Sequence, residues 1–185
     1  MVQLKRQLFT VEEYYKMAEV GILKPTDRVE LINGEIIQMS PIKSPHASTI
    51  TTLEELLIEQ LFKKVTIRSQ NPIHISKFSE PEPDVAVFKY RKDRYRKAHP
   101  TPKETLLVIE VADSSLHYDR QTKTSLYAEA LIPEYWIINL QDSQIEVFTS
   151  PKNGIYLKEF IYRGEEKIIA TTIDFSIGVA DIFFE

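Results

Sequence analysis

Hydrophobic and polar positions along the chain follow two periods in turn. Val11, Tyr14, Tyr15 and Ala18 recur at helical spacing, and the run ends at Gly21. Thr10 followed by Glu13 gives this segment a capping box, in which each side chain serves the other residue's backbone amide. Period two takes over in RVELINGEIIQM, residues 28–39, where Asn33-Gly34 marks a tight hairpin between two strands. Ser44-Pro45 then predicts a helix opened by a cap and a first-turn proline. Ile50, Leu53, Leu57 and Leu61 give that helix a buried face.

Short apolar runs predict strands over 65–70, 72–77, 84–88 and 106–112. A helix over 117–130 leads to EYWIINL, a further strand, and the passage reads as a right-handed crossover between parallel strands. Hairpin-type strands follow over 144–149, 155–162 and 167–170, with Asn153-Gly154 and Gly164 at the turns. The sum is an α/β fold, a mixed central sheet flanked by helices with extra antiparallel hairpin strands. With 185 residues and no repeat or linker-like stretch, one domain spanning 1–185 is expected.

Two acids break the apolar pattern. Asp84 opens the run VAVF directly after Pro83, and Glu110 sits between Ile109 and Val111 in LLVIEVADSS. A desolvated carboxylate is costly and two close together repel, so such a pair settles by sharing a proton or holding a cation. Mg²⁺ favours oxygen ligands of this sort and keeps several waters. The plainer alternative has Asp84 capping a turn and Glu110 paired with Arg or Lys. Alternation puts Val108, Glu110 and Ala112 on one face, so position 112 adds nothing polar.

Arg120, Lys123 and Tyr127 share a helix face by their spacing, which can bring Lys123 back over the sheet to the carboxylates. A lysine there can steady a metal-bound hydroxide and the charge building on a phosphate; an exposed helix lysine is the alternative. His46 falls in the first turn of the second helix, as a base, a metal neighbour or only a polar residue at a helix start. Glu30 is a further acid in an apolar strand, with Arg28 as its expected salt-bridge partner. Gln70 is a neutral polar group at a strand end.

Composition narrows the classes. Hydrophobic residues make up 43% and charged residues 27%, ordinary for a soluble globular protein. The absence of cysteine excludes disulfides and thiolate metal sites and suits the cytoplasm. No apolar run reaches the ~20 residues of a membrane span, and MVQLKRQLFT lacks the apolar core of a signal peptide. A net charge of -4 gives no general attraction for polyanions. Residues 89–97, KYRKDRYRK, nevertheless hold six basic residues against one acid. They form either a solvated face or a strip for phosphates, with Tyr90 and Tyr95 free to stack on bases. There is no phosphate-cradling GxxxxGK[ST], no GxGxxG, no HExxH and no serine nucleophile elbow.

The order RVELINGEII, MSP with SPH soon after, EPEPDVAVF, LLVIEVADSS, YDRQTK and LYAEALIPEYWIIN resembles the Uma-type proteins, which are bacterial restriction-endonuclease-like domains. The likeness runs from about residue 10 to residue 180. It implies the PD-(D/E)XK nuclease fold, with Pro83-Asp84 as the PD and Glu110 as the second acid. Ala112 stands where the signature has lysine, and Lys123 matches the lysine moved to the next helix. Glu30 and His46 match further polar positions of the family's site, Gln70 and Tyr127 weaker ones. The resemblance thus implies a Mg²⁺-dependent endonuclease (Mn²⁺ also serving) acting on nucleic acid, chiefly DNA. Asp84 and Glu110 would hold the metal, aided by Glu30, Lys123 and His46. A non-catalytic module binding nucleic acid or protein is the alternative, since a fold does not fix a function. A homodimer is expected; a symmetric one could join two basic strips into a groove, on which the sequence is silent.

Overall fold

The computed structural model describes residues 6–24 and 26–183. Helix α1 (Val11–Glu19) begins at Thr10, whose side chain accepts from the Glu13 amide while Glu13 accepts from Thr10, the capping box expected. Strands β1 (Val29–Ile32) and β2 (Glu35–Gln38) form a hairpin closed by Asn33 and Gly34, both at positive φ. That is the turn geometry Asn-Gly favours. A Cβ at Gly34 would stand 2.7 Å from the Leu8 Cβ, so the position also needs glycine for space.

Helix α2 (Ser44–Leu61) buries Ile50, Leu53, Leu57 and Leu61 as its spacing predicts. Its cap differs from expectation: Lys43 is the capping residue, no side chain caps the helix, and Ser44-Pro45 lie inside the first turn. Then come β3 (Val65–Ser69), β4 (Val85–Lys89), β5 (Thr105–Ala112), β6 (Glu134–Asn139), β7 (Gln144–Lys152) and β8 (Ile155–Arg163). These six form one sheet in sequential order. Only β5 and β6 run parallel, and the helical crossover between them was legible from the sequence. A separate pair, β9 (Lys167–Ile169) with β10 (Ser176–Gly178), completes the strands.

The strand expected over 72–77 does not form. The Ile73 and Ile75 amides donate forward to the Pro81 and Ser79 carbonyls, so the segment folds on itself as a loop. Pro72, Pro81 and Pro83 lack amide donors, which denies this stretch a place in a ladder.

Alternation along the central strands divides the core in two. Leu107, Ile109 and Val111 pack with α2 on one face, while Val108 and Ala112 pack on the other with Leu126 and Tyr127 of the crossover helix. The second face also receives Ile32 of the hairpin, so β1 is delivered to the side on which Glu110 projects.

The basic strip stands apart from Asp84. It leaves β4 at Lys89, about 17 Å of strand from Asp84. Tyr95 is buried, donates to the Lys89 carbonyl and lies under the Arg91 guanidinium, so it is not free to stack on a base as expected. Tyr90 stays exposed, with Arg94 over its ring.

Candidate active site

Asp84 and Glu110 stand opposite one another at neighbouring antiparallel strands. The register pairs Val85, the first residue of β4, with Ile109, so Asp84 just before the strand comes level with Glu110, to which it is linked by a hydrogen bond. Such directly opposed residues have Cβ atoms roughly 4.5–5.5 Å apart. Both carboxylates are buried and tied into the backbone: the Val111 amide donates to Asp84 Oδ2 at 2.9 Å, and the Asp84 amide donates to Glu110 Oε2 at 3.1 Å.

The lysine comes from the crossover. Leu116–Tyr118 and Thr124–Glu129 are α-helical and contiguous, but Asp119–Lys123 between them winds as a π-helix. Widened turns of this kind recur at functional sites because they re-aim side chains. Here Asp119, Lys123 and Tyr127 face the carboxylates. Arg120, expected on the same face, instead clasps buried Glu146 on β7 through two bonds of 2.9 and 2.6 Å. That clasp fixes the π segment against the sheet.

Lys123 is only 3% exposed. Its Nζ donates to Glu30 Oε2 at 2.7 Å and to Glu110 Oε1 at 3.1 Å. Tyr127 donates to the same Glu110 oxygen at 2.8 Å. Glu30 thus pairs with Lys123 and not with Arg28, whose guanidinium bonds the Ser40 carbonyl. The Glu82 amide also donates to Glu30, at 3.1 Å. From the first turn of α2, His46 places Nε2 3.1 Å from Asp84 Oδ2, while its buried Nδ1 has no partner among the described residues.

Charge is concentrated here. A cleft of about 310 Å³ is lined by six acids, Glu30, Glu82, Asp84, Glu110, Asp113 and Asp119, against the cations Arg28, Lys43 and Lys123. Burial pushes the Glu110 carboxyl up to about 8; Lys123 opposes this, and Asp84, Asp119 and Glu30 add to it. Burial likewise raises Asp119 to about 6, against the hydrogen bond from Ser115 and the charge of Lys123. The Lys123 ammonium is held protonated well above its ordinary range, because Glu110 and Glu30 outweigh its burial. A site this rich in desolvated carboxylate holds either protons or cations.

The family model described as "Putative restriction endonuclease", Uma2, matches residues 11–180. The chain belongs to the Uma2 family. The fold agrees with that placement. The crystal structure of a putative nuclease belonging to DUF820 from Anabaena variabilis superposes with a TM-score of 0.71 at 14% identity, covering 95% of this chain and 97% of that one. Among curated proteins none matches the sequence.

Within this Uma2 fold, five residues singled out in the sequence converge on one cleft: Glu30, His46, Asp84, Glu110 and Lys123. Tyr127 joins them through Glu110. Gln70 does not line the cleft; its backbone amide bonds the Pro83 and Asp84 carbonyls, and its side-chain Nε2 is buried without a partner. Two residues escaped the sequence reading. Asp119 precedes Lys123 by four positions, one helical turn, and that spacing was the available signal. Glu82 stands in EPEPD two residues before Asp84, where the loop's course hid its direction.

The donor set fits a hard divalent ion. Asp84 engages only Oδ2 in hydrogen bonds among the described residues, leaving Oδ1 free, and every acid near it offers oxygen. Among the described residues no three His, Asp or Glu side chains stand together as a ready-made metal cage. Mg²⁺ suits such a two-carboxylate site, because it keeps several waters and rarely asks the protein for a full shell.

Proposed function

We propose that the protein is a Mg²⁺-dependent endonuclease that hydrolyses phosphodiester bonds of nucleic acid, chiefly DNA. The observation that carries this reading is the cross-strand pair Asp84–Glu110 with the Lys123 ammonium bonded to Glu110. Asp84 and Glu110 would hold the ion, with Mn²⁺ an acceptable substitute. When bound, the ion would supply a lowered water pKa and a counter-charge for the phosphate.

The chain's own residues do the rest. Lys123, bonded to both Glu110 and Glu30, keeps its proton and stands by to offset charge as it develops on the phosphate. Tyr127 holds the Glu110 carboxylate in orientation, and the Val111 amide does the same for Asp84. His46 lies at the open end of α2, where free amides and the helix dipole favour an anion such as phosphate. Its Nδ1 is buried, so the ring acts through Nε2, which meets Asp84 Oδ2 and helps to orient that carboxylate.

One observation favours a second reading, a binding module without chemistry: the cleft is acidic and the basic strip lies at the far end of β4. Incubation of supercoiled plasmid and single-stranded DNA with Mg²⁺ or Mn²⁺ separates the two. The nuclease reading expects nicking or degradation that Asp84→Ala and Glu110→Gln each abolish. No cleavage of either substrate, or cleavage that survives Asp84→Ala, would sink it.

A further inference from the structure

The last strand of the sheet carries a surface that the site does not use. Strand β8 ends the order β3-β4-β5-β6-β7-β8, and its outer edge pairs with no strand among the described residues. Ile155 and Leu157 are more than half exposed, Phe160 is 46% exposed and Ile161 42%. Long apolar edges are templates for pairing, and proteins that stay monomeric usually blunt them. Lys158 and Glu159 interrupt this one, and Arg163 ends it.

We propose that this edge joins a second copy of the chain. Strand β8 would pair with β8 antiparallel about a two-fold axis at Ile161, making one continuous twelve-stranded sheet.

Charge selects both the occupant and the register. In an isologous pairing the residue on the axis faces itself. An axis at Lys158 or Glu159 sets like charges against each other, and one at Tyr162 sets Glu159 against Glu165 of the other copy. With the axis at Leu157 or Phe160, Glu159 faces isoleucine and Lys158 faces tyrosine, so neither charge is matched. At Ile161 the segment Glu159–Arg163 pairs with itself: Glu159 meets Arg163 of the second copy twice by symmetry and Phe160 meets Tyr162 twice, while Ile155 and Leu157 lie outside the paired segment. Opposite charges and apolar partners directly across strands stabilise pairing, and like charges oppose it. The edge is complementary to itself, which makes a second copy the occupant.

This geometry also places the two sites. Glu110 registers with Ile137, Ile137 with Glu146, and Glu146 with Ile161, so Glu110 lies in the cross-sheet row that meets the axis. Seven strand spacings of ~4.8 Å then separate the two copies of Glu110 by about 34 Å. Twist of roughly 20° per strand turns the two clefts apart by on the order of 140°. The dimer therefore leaves each cleft open and independent, and the basic strips, which leave the sheet at β4, are not brought together.

Sedimentation velocity on the full chain tests this without reference to catalysis. The wild type should sediment at twice its 21.5 kDa chain mass. Ile161→Lys should halve the mass, as should Glu159→Arg and Arg163→Glu, each of which sets like charges across the axis. Combining Glu159→Arg with Arg163→Glu should restore the dimer, which a merely misfolded variant would not do. A wild type that stays monomeric at its highest soluble concentration overturns the proposal. So does a dimer that survives both single charge reversals, or a double reversal that stays monomeric.

Discussion

Removing the buried ammonium is the sharpest test of how the site is held together. Lys123→Met keeps the side-chain length and deletes the charge that Glu30 and Glu110 share at 2.7 and 3.1 Å. Deleting one partner of a buried ion pair costs about 3–5 kcal/mol, because the remaining charge stays desolvated. Glu110 is already raised to about 8, so near neutrality it relieves itself by taking a proton. The loss should therefore fall near the lower figure, ~3 kcal/mol, at pH 7, and grow toward ~5 kcal/mol above pH 8 where Glu110 ionises. At this chain length each kcal/mol moves Tm by roughly 2–4 °C, so the metal-free variant should melt about 6–12 °C lower at pH 7. Circular-dichroism melts in EDTA between pH 5 and 8.5 would record it. Adding Glu30→Gln to the variant should return about 1 kcal/mol or more, since the two residues are coupled. A Tm within a few degrees of wild type at every pH would refute the idea that Lys123 neutralises this cluster.

Further outcomes follow from the same contacts. Glu110 and Asp119 have folded-state pKa values raised to about 8 and about 6, above their ordinary values near 4.5 and 3.8. The folded state therefore binds more protons than the unfolded one between about pH 4 and 8, and metal-free stability should fall as pH rises through that window. A Tm in EDTA that climbs from pH 5 to pH 8 would contradict it. Arg120→Ala strips the bidentate clasp from buried Glu146 and should cost on the order of 2 kcal/mol in denaturant titration. That is less than a fully buried pair, because Arg120 is 42% exposed on its side chain and Asn139 and Gln144 still donate to Glu146. Tyr127→Phe removes one donor to Glu110 and should cost about 1–2 kcal/mol while lowering, not abolishing, plasmid cleavage. An unchanged cleavage rate would show that the tyrosine does not position the carboxylate.

Much of the site was legible because its residues break strong patterns. Asp84 and Glu110 interrupt otherwise apolar runs, which is what marked them, and the register of β4 with β5 is what brings them level. Glu30 likewise stood out inside β1. What stayed hidden was long-range or irregular. The partner of Glu30 comes from 93 residues away, and adjacency in sequence pointed to Arg28 instead. The π-helical turn changes helical phase between Arg120 and Lys123, and no spacing rule written for 3.6 residues per turn foresees it. The false strand over 72–77 shows the opposite error, an apolar alternation overruled by prolines that cannot donate to a ladder. Strand β9 was expected over 167–170, but its partner β10 was missed, because three residues, Ser176–Gly178, carry too little pattern to read.

Whether Asp84 and Glu110 hold a divalent ion together is measured most directly by Mn²⁺ binding. Titration calorimetry with paramagnetic resonance at pH 7.5 should show Mn²⁺ binding to the wild type. Protons should be released as the ion displaces them from Glu110, with signal lost on adding EDTA. Asp84→Ala and Glu110→Ala, each checked for folding by circular dichroism, should bind no ion at the same concentration. Wild-type protein that binds no Mn²⁺, or an Asp84→Ala variant that binds it as tightly as wild type, would contradict the central claim.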